Sequence, residues 1–506
     1  DTHTDLSDTM LRGLLRWGQE ASNTWGSSSR PDGHGPRPCS NLPQVLAVSG
    51  VSDYCHPMNN RTIATSATLS LLLAFLCFFS PAVAGEGSSE TSYLLKAEGY
   101  TVKIRTRVEY PPMKDSKGSH TGAGFLVDAG RGWIATNAHV SSRNPESVEV
   151  SFKGQSFFDA KLVFVDRYLD LAVLEVPKKE IPAGTKEAEL RCDDWPEVGS
   201  KVGAYGHPLS LEFSVTTGIV SGLRYRHNRY WVQTDAAINR GNSGGPLISI
   251  KTGEVVGINA MGYSKQSSEG LGFAVPMVYA CRVFQLLREG KNPSASYLPA
   301  AFATSDEVRD KLIVATTYDK LPVKWALEPG DQLLSLASDP KTKLKNQADL
   351  IHALRGSEGD IAVDIMRKGK PQTLNLAALA RPRMIDWVGL HFSGMVVGKE
   401  LMRDANLSNP NDEILILDVA SASVGSVLGI GAYSYLNTVD GLRLKSIQKL
   451  CAYLRQAENE NRKVKVVTRS REWEYMSASK YELFNVSIKD VKLVGPNVTE
   501  GVACER

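Results

Sequence analysis

From residue 101 onward, the chain consists of short runs rich in β-branched and aromatic residues, separated by Gly, Asp and Asn. The runs TVKIRTRV (101–108), GFLV (124–127), WIAT (133–136) and VEVSF (148–152) each have the length of a strand. No helical pattern lies between them. Turn residues at close, regular intervals between such runs are typical of all-β domains. This part of the chain is therefore predicted to fold as a β domain.

Three short segments in this region carry residues suited to catalysis. His139 follows a predicted strand, and histidine can serve as a general base because its ordinary pKa lies near neutral pH. Asp170 enters the apolar run LAVL, where a carboxylate needs a partner such as a histidine Nδ1–H. Ser243 is flanked by glycines in GNSGGPL, which permits a tight turn that exposes its Oγ.

Each of these residues alone has a simpler explanation: His139 as a structural histidine, Asp170 as a cap or turn residue, and Ser243 as part of a turn. Their order along the chain, with the serine on a glycine-rich turn, favours a catalytic triad of His139, Asp170 and Ser243. The same turn would leave the backbone N–H groups of Gly241 and Ser243 free to form an oxyanion hole.

The motifs TNAHV (136–140), DLAVL (170–174), GNSGGPL (241–247), GEVVGINA (253–260) and GLGFAVP (270–276) resemble the HtrA/Deg family of serine proteases. The resemblance implies a mostly β protein, with a trypsin-like double β-barrel followed by PDZ-like α+β domains. His139 and Asp170 would lie on the first six-stranded barrel and Ser243 on the second. A closing helix is predicted over 276–288, where Val278, Cys281, Phe284 and Leu287 recur at helical spacing.

The resemblance also extends to substrate specificity. In the trypsin-like fold the residue six before the nucleophile lies at the base of the side-chain pocket, and here it is Ala237. Ile258 and Ala260 are expected to line the same pocket. Without a carboxylate there, a substrate Lys or Arg would have no partner, so cleavage is expected after small or medium aliphatic residues.

Two further units follow a polar linker at 291–296, and each shows strands, a Gly/Asp turn and an amphipathic helix. Both resemble PDZ domains, which bind peptides as an added strand. The domain boundaries are predicted at 85–292 for the protease, 293–380 for a divergent first PDZ-like domain and 381–506 for the second. In the second, Trp387, Val388, Gly389 and Leu390 resemble the loop that binds a peptide's C-terminal carboxylate.

The matching segment of the first unit, 297–300, contains Pro299, which has no N–H to donate. Carboxylate capture is therefore not expected of the first unit. The alternative for both units is that they only pack against the protease domain and position it.

The segment 58–84 has the pattern of a secretory signal peptide, with a charged start, a short apolar core at 69–79 and the small-residue site Ala82-Val83-Ala84. The apolar core is too short to span a bilayer as a helix. The expectation is a periplasmic or secreted protein, and a retained membrane anchor is the alternative. Residues 1–57 are interpreted as a disordered, non-native upstream extension.

Composition limits the classes of partner and cofactor. The net charge of +3, with no run of five or six like charges, gives no reason to expect nucleic acid as a partner. The seven cysteines are far apart, so neither a metal nor another cofactor is predicted. Cys192, Cys281, Cys451 and Cys504 fit buried thiols best, with a disulfide such as Cys451–Cys504 as the alternative.

The function expected from these features is an ATP-independent serine endopeptidase that degrades unfolded or damaged proteins of the cell envelope. No phosphate-binding GxxxxGK[ST] loop is present in the sequence. The resemblance implies a trimer-based homo-oligomer. Two alternatives are a regulatory protease with one dedicated substrate, and a chaperone or binding protein on a protease scaffold.

Overall fold

A computed structural model describes residues 87–111, 115–207, 213–262, 271–304, 310–319, 321–399, 413–471, 479–498 and 504. The chain divides into two units at residue 82, and the first unit lies outside the described residues. The predicted upstream extension and signal peptide (1–84) therefore also lie outside them. Across the ranges given, no helix combines the length and apolar character needed to cross a membrane.

The first sheet begins after helix α1 (Gly87–Tyr100) and has seven antiparallel strands in the order β5-β4-β1-β2-β3-β7-β6. Every second residue of the first strand is buried, as expected for a strand with one face on a core. The strands are β1 (Thr101–Val108), β2 (Gly118–Asp128), β3 (Trp133–Thr136), β4 (Ser147–Phe152), β5 (Phe158–Asp159), β6 (Lys161–Asp166) and β7 (Leu171–Glu175), with helix α2 (Ala138–Ser141) after β3.

This sheet differs from the closed six-stranded barrel expected for the first half of the protease domain. Its two edge strands, β5 and β6, are not paired with each other. They are separated in the chain only by Ala160, whose N–H donates to Val148 O. The two edges of the sheet are therefore joined by one residue of the chain. They are not joined by hydrogen bonds between β5 and β6.

The second sheet is a closed barrel of six strands in the order β10-β13-β12-β11-β8-β9, as predicted. Its strands are β8 (Lys201–Gly206), β9 (Ser214–Arg226), β10 (Arg229–Thr234), β11 (Pro246–Ser249), β12 (Val255–Gly262) and β13 (Gly272–Pro276). Helix α3 (Met277–Arg288) follows at the predicted place.

The buried face of helix α3 was only partly predicted. The helix buries Met277, Ala280, Val283, Phe284 and Leu286, so of the four predicted core positions only Phe284 is fully buried. Cys281 lies at the edge of this face because it forms a disulfide with Cys192, and their Cα atoms are 5.6 Å apart. Cys451 and Cys504 form a second disulfide, with Cα atoms 5.5 Å apart. The expectation of buried free thiols was therefore wrong.

The first PDZ-like unit is a five-stranded sheet in sequential order, covered by one helix. It consists of β14 (Ala300–Phe302), β15 (Leu312–Thr317), β16 (Gln332–Leu336), helix α4 (Gln347–Ala353), β17 (Gly359–Arg367) and β18 (Lys370–Ala378). Helix α4 begins at Asn346, whose side chain accepts hydrogen bonds from the N–H groups of Ala348 and Asp349. This cap satisfies two of the donors that a helix start leaves without partners.

The second PDZ-like unit is a seven-stranded sheet in the order β24-β23-β22-β21-β20-β19-β25. Its elements are β19 (Gly389–Phe392), β20 (Met395–Lys399), β21 (Ile414–Val419), helix α5 (Val424–Val427), β22 (Tyr435–Val439), helix α6 (Ile447–Asn459), β23 (Lys463–Arg471), β24 (Ser479–Ser487) and β25 (Lys492–Val494). Helix α6 buries Ile447, Leu450, Cys451, Leu454 and Ala457 against the sheet. The mostly β architecture with α+β units behind the barrel is as predicted.

Candidate active site

His139, in helix α2 after β3, lies against Asp170, in the turn before β7. His139 Nδ1 is 2.8 Å from Asp170 Oδ2, and the backbone N–H of His139 donates to Asp170 Oδ1 over 3.1 Å. Both carboxylate oxygens therefore bind the same histidine residue. This two-point contact fixes the ring orientation and selects the tautomer that carries its proton on Nδ1 and leaves Nε2 free to accept one.

A tight turn between β6 and β7 presents Asp170. Its φ is +58°, a left-handed conformation that few residues other than glycine adopt. The N–H of Asp170 donates to Arg167 O over 3.3 Å, and its carbonyl accepts from Asn137 Nδ2 over 2.9 Å. A strained backbone held by several hydrogen bonds is typical of functional sites.

The turn that carries Ser243 packs directly on the first sheet. The carbonyl of Ser243 accepts from the N–H of Ala123 over 2.8 Å. At Gly244 the φ is +86°, and a Cβ would lie 2.1 Å from Ala123 O and 2.2 Å from Thr136 Oγ1. Only glycine fits there, which explains why the nucleophile's turn has this sequence.

In this structure Ser243 Oγ donates to the carbonyl of Ala260 over 3.0 Å. Between the described side chains of Ser243 and His139 there is no hydrogen bond. The structure thus joins two of the three predicted triad residues directly, and Ser243 would have to rotate about χ1 to bond to His139. Catalytic hydrogen bonds are often incomplete in the absence of substrate.

The two N–H groups predicted to form the oxyanion hole have no backbone acceptor among the described residues. Gly241 has a φ of +104°, a conformation that requires glycine. The neighbouring Asn242 N–H is satisfied by Asn239 O, and Gly244 N–H by Asn259 O. Within the described part of the chain, the turn therefore leaves the N–H groups of Gly241 and Ser243 without a backbone acceptor.

Electrostatics favour the protonated form of His139. Partial burial lowers its pKa, but the charge of Asp170 and its hydrogen bond outweigh that effect, so the pKa is raised above the ordinary value of 6.5. The positive charge of Arg229, on β10 of the second barrel, acts in the opposite direction and lowers the pKa of His139. Its Nη1 donates to Tyr168 O over 2.7 Å, within the same turn as Asp170.

The predicted pocket residues lie on two elements of the second barrel. Ala237 is exposed, and its carbonyl accepts from Thr216 Oγ1 over 2.9 Å and Asn242 Nδ2 over 3.2 Å. Ile258 and Ala260, on β12, are buried. Ala260 is adjacent to the nucleophile through the hydrogen bond from Ser243. A pocket role remains a prediction for all three residues.

The predicted peptide-binding loop of the second PDZ-like unit is covered by the chain's own C-terminal segment. Strand β25 pairs antiparallel with β19, with Val494 opposite Gly389 and Leu493 opposite Leu390. An antiparallel strand added at this edge is the way in which PDZ domains bind peptides. The edge that would receive a peptide is therefore already paired.

Side-chain and backbone contacts hold the C-terminal segment in this position. Asn497 Nδ2 donates to Ile385 O over 3.0 Å, and Asp490 O is 2.9 Å from His391 Nδ1. The disulfide from Cys504 to Cys451 joins the end of the segment to helix α6. Trp387, the first residue of the loop, is buried and donates from Nε1 to Lys399 O.

A cavity of about 440 Å³ lies in the second PDZ-like unit. It is lined by Trp387 and Val388 of the loop and by Ser446 and Ile447 at the start of helix α6. These loop residues directly precede Gly389, which pairs with Val494 of β25. Across the described ranges, no group of three or more His, Cys, Asp or Glu side chains could hold a metal ion.

Sequence reasoning missed Asn137 and Arg229. Asn137 lies inside the TNAHV motif, fully buried, and its side chain holds the carbonyl of Asp170. A buried amide next to a catalytic histidine could have been singled out from the motif. Arg229 gave no such signal because its contact with the turn at Tyr168 joins segments 61 residues apart.

Comparison with known proteins agrees with this geometry. The trypsin-like peptidase domain family matches residues 122–258, a range that contains His139, Asp170 and Ser243. A DegP-like periplasmic serine endoprotease of Pseudomonas putida is 34% identical over 281 residues, covering 52% of this chain and 56% of that protein. One of Ectopseudomonas mendocina is 33% identical over 285 residues, covering 53% and 58%.

Among solved structures, a serine endoprotease from Yersinia pestis covers 58% of this chain and 98% of its own, with 26% identity and a TM-score of 0.44. The HtrA-type protease AlgW with a tripeptide covers 58% and 98%, with 25% identity and a TM-score of 0.48. The chain spans little more than half the length of the curated relatives it matches. It contains a trypsin-like peptidase domain and is similar, over about half of its length, to DegP-like serine endoproteases.

Proposed function

We propose that the protein is a serine endopeptidase in which Ser243, His139 and Asp170 form the triad. Ser243 Oγ attacks the carbonyl carbon of the scissile peptide, while His139 Nε2 takes its proton. The protonated histidine then gives this proton to the leaving amine. Water then takes the place of the amine: His139 Nε2 takes its proton as it attacks the acyl carbon, and then gives that proton to Ser243 Oγ as the acid product leaves. The observation that carries this proposal is the two-point contact between Asp170 and His139.

The negative charge of the tetrahedral intermediate needs stabilisation on the substrate's carbonyl oxygen. The N–H groups of Gly241 and Ser243 would supply it, and the lack of a backbone acceptor for either group among the residues that the structure describes supports this role. Before attack, Ser243 Oγ must exchange its hydrogen bond with Ala260 O for one with His139. Substrate binding along β12 would compete for the same carbonyl and favour that exchange.

We propose that cleavage follows small or medium aliphatic residues. Ala237 would form the base of the pocket, with Ile258 and Ala260 on its wall. None of these side chains could pair with a substrate Lys or Arg, and an unpaired buried cation is costly. Ala237→Asp is expected to raise the relative rate of cleavage after Lys or Arg while lowering the overall rate, because only one feature of a basic pocket is added.

The substrates proposed are unfolded or damaged polypeptides of the cell envelope, because an extended strand must enter the cleft. The curated relatives are periplasmic endoproteases, which supports a signal peptide at 58–84 and a periplasmic or secreted enzyme. A trimer-based homo-oligomer is proposed from the family resemblance alone. Peptide C-termini would bind the second PDZ-like unit at Trp387–Leu390 only after β25 leaves the edge of β19.

One experiment tests the central proposal. An unfolded model protein is incubated with the wild type and, separately, with Ser243→Ala, and the fragments are mapped by mass spectrometry. Cleavage by the wild type after Val, Ala, Ile or Leu, and none by Ser243→Ala, is expected. Equal proteolysis by both proteins would refute the triad, and cleavage mainly after Lys and Arg would refute the pocket. Suppressed aggregation without cleavage would identify a chaperone instead.

A further inference from the structure

The turn that carries Asp170 also contacts the first PDZ-like unit. Asp166, at the start of this turn, is the last residue of β6 and is 5% exposed. Its Oδ1 accepts from the N–H of Leu169 over 3.1 Å, one residue before Asp170. The carboxylate of Asp166 therefore helps to close the turn that holds Asp170 in its left-handed conformation.

The other oxygen of Asp166 faces Arg355, which follows helix α4. Arg355 Nη2 is 2.7 Å from Asp166 Oδ2, and the arginine side chain is fully buried. The N–H groups are not aligned for a hydrogen bond to this oxygen, so the contact is an ion pair at close distance. The exposure of the two side chains, 0% and 5%, means that water cannot replace either partner.

Arg355 is itself fixed by the segment that joins the two domains. Its Nη1 donates to Pro293 O, and its own carbonyl accepts from Arg282 Nη2 of helix α3 over 3.2 Å. A Cβ on the next residue, Gly356, would lie 2.3 Å from Leu286 Cδ2, also on α3. The arginine therefore has little freedom to move unless the whole PDZ-like unit moves with it.

We propose that Arg355 is a positioning residue of the protease site: by pairing with Asp166 it holds the turn that presents Asp170 to His139. The first PDZ-like unit would then complete the catalytic geometry from outside the two protease sheets. The inference rests on the proposed serine endopeptidase function. Without Arg355, the buried Asp166 carboxylate would have to take up a proton or move toward water. Movement would release Leu169 N–H and shift Asp170.

The test compares five full-length proteins: wild type, Arg355→Met, Asp166→Asn, the double variant of these two and a control. Arg355→Met leaves a buried charge unpaired, whereas the double variant leaves none and keeps an oxygen that can accept from Leu169 N–H. Tyr230→Phe is the matched control. It removes another contact of the same PDZ-like unit, the hydrogen bond from Asn346 Nδ2 to Tyr230 Oη, which does not involve the turn.

Hydrolysis of a short peptide with one apolar cleavage site gives kcat and KM for each protein. Arg355→Met is expected to lower kcat about 100-fold, the effect of misplacing a catalytic group by roughly an ångström. KM should stay within about threefold, because Arg355 does not touch the substrate cleft. The double variant should recover most of the lost kcat, and Tyr230→Phe should retain it.

Wild-type kcat in Arg355→Met would overturn the proposal. A loss of kcat that the double variant does not recover would also overturn it, and so would an equal loss of kcat in Tyr230→Phe. Either result would show that kcat depends on domain docking in general. If Arg355→Met does not fold, the double variant decides: it should fold and be active, and an inactive folded double variant contradicts the proposal.

A second readout separates this inference from the proposed activity. The proton between His139 Nδ1 and Asp170 Oδ2 should give a low-field NMR resonance that needs no turnover. It is expected in the wild type and the double variant and should be lost or broadened in Arg355→Met. An unchanged resonance in Arg355→Met would refute positioning even if the wild type hydrolyses no peptide.

Discussion

Replacing Asp170 by asparagine would test how the catalytic histidine is oriented, with almost no change in side-chain volume. In the structure both carboxylate oxygens accept from His139, one from the backbone N–H and one from Nδ1. Asparagine offers only one oxygen. If its NH₂ group faces the ring, Nδ1 must accept rather than donate. The imidazole then carries its proton on Nε2, where it cannot take the proton of Ser243.

The other orientation of asparagine places its NH₂ group against the backbone N–H of His139, which leaves two donors facing each other. With the NH₂ group toward the ring, the imidazole loses the tautomer needed for catalysis. With the NH₂ group toward the backbone, the hydrogen bond from the backbone N–H of His139 is lost. The expected loss in kcat is about 10⁴-fold, or about 5 kcal/mol in activation free energy.

The assay is peptide hydrolysis at several pH values, with thermal unfolding of each variant recorded in parallel. Asp128→Asn is a matched control, because Asp128 is a mostly buried acid on β2 that binds Arg288 and Arg131 and has no contact with His139. The control is expected to lose some stability and to keep kcat. A folded Asp170→Asn protein with kcat within tenfold of the wild type would refute the assignment of Asp170.

Three further predictions concern pH, the serine turn and the C-terminal strand. Because Asp170 raises the pKa of His139, the neutral base forms only at higher pH, and the acidic limb of kcat/KM should have its midpoint above 6.5; a midpoint below 6 would contradict this. Gly244→Ala should abolish activity and lower Tm, because the added Cβ would clash with Ala123 O. Gly154 has a similar φ with open space around it, so Gly154→Ala should lower the free energy of unfolding by only about 1 kcal/mol. Cys504→Ser should tighten binding of a free-acid apolar peptide about tenfold, measured by fluorescence anisotropy, because it frees the segment that holds β25; equal affinities would show that β25 does not compete.

The sequence was most informative where the chemistry is local. His139 and Ser243 lie in short motifs whose neighbours fix the backbone, as the clash that any Cβ would cause at Gly244 illustrates. Asp170 could be chosen because a carboxylate before a buried strand needs a partner. The second barrel was expected from the family resemblance, and helix α3 from that resemblance together with the helical spacing of apolar residues over 276–288.

What could not be predicted depends on contacts between distant segments. The Cys192–Cys281 disulfide joins residues 89 positions apart, and no sequence spacing indicates such a pair. The pairing of β25 with β19 uses an edge that a sequence pattern alone leaves open. Arg355 looked like an ordinary charged residue after a helix, because its partner Asp166 belongs to another domain.

The most direct test of the account is covalent labelling of the folded protein with a serine-directed phosphonate, followed by mass spectrometry to locate the adduct. A single adduct on Ser243 is predicted, formed at a rate that falls by several orders of magnitude in His139→Ala because the base is gone. An unlabelled Ser243 in a folded wild-type protein, or labelling that is equally fast in His139→Ala, would contradict the proposal that these residues form a working catalytic triad.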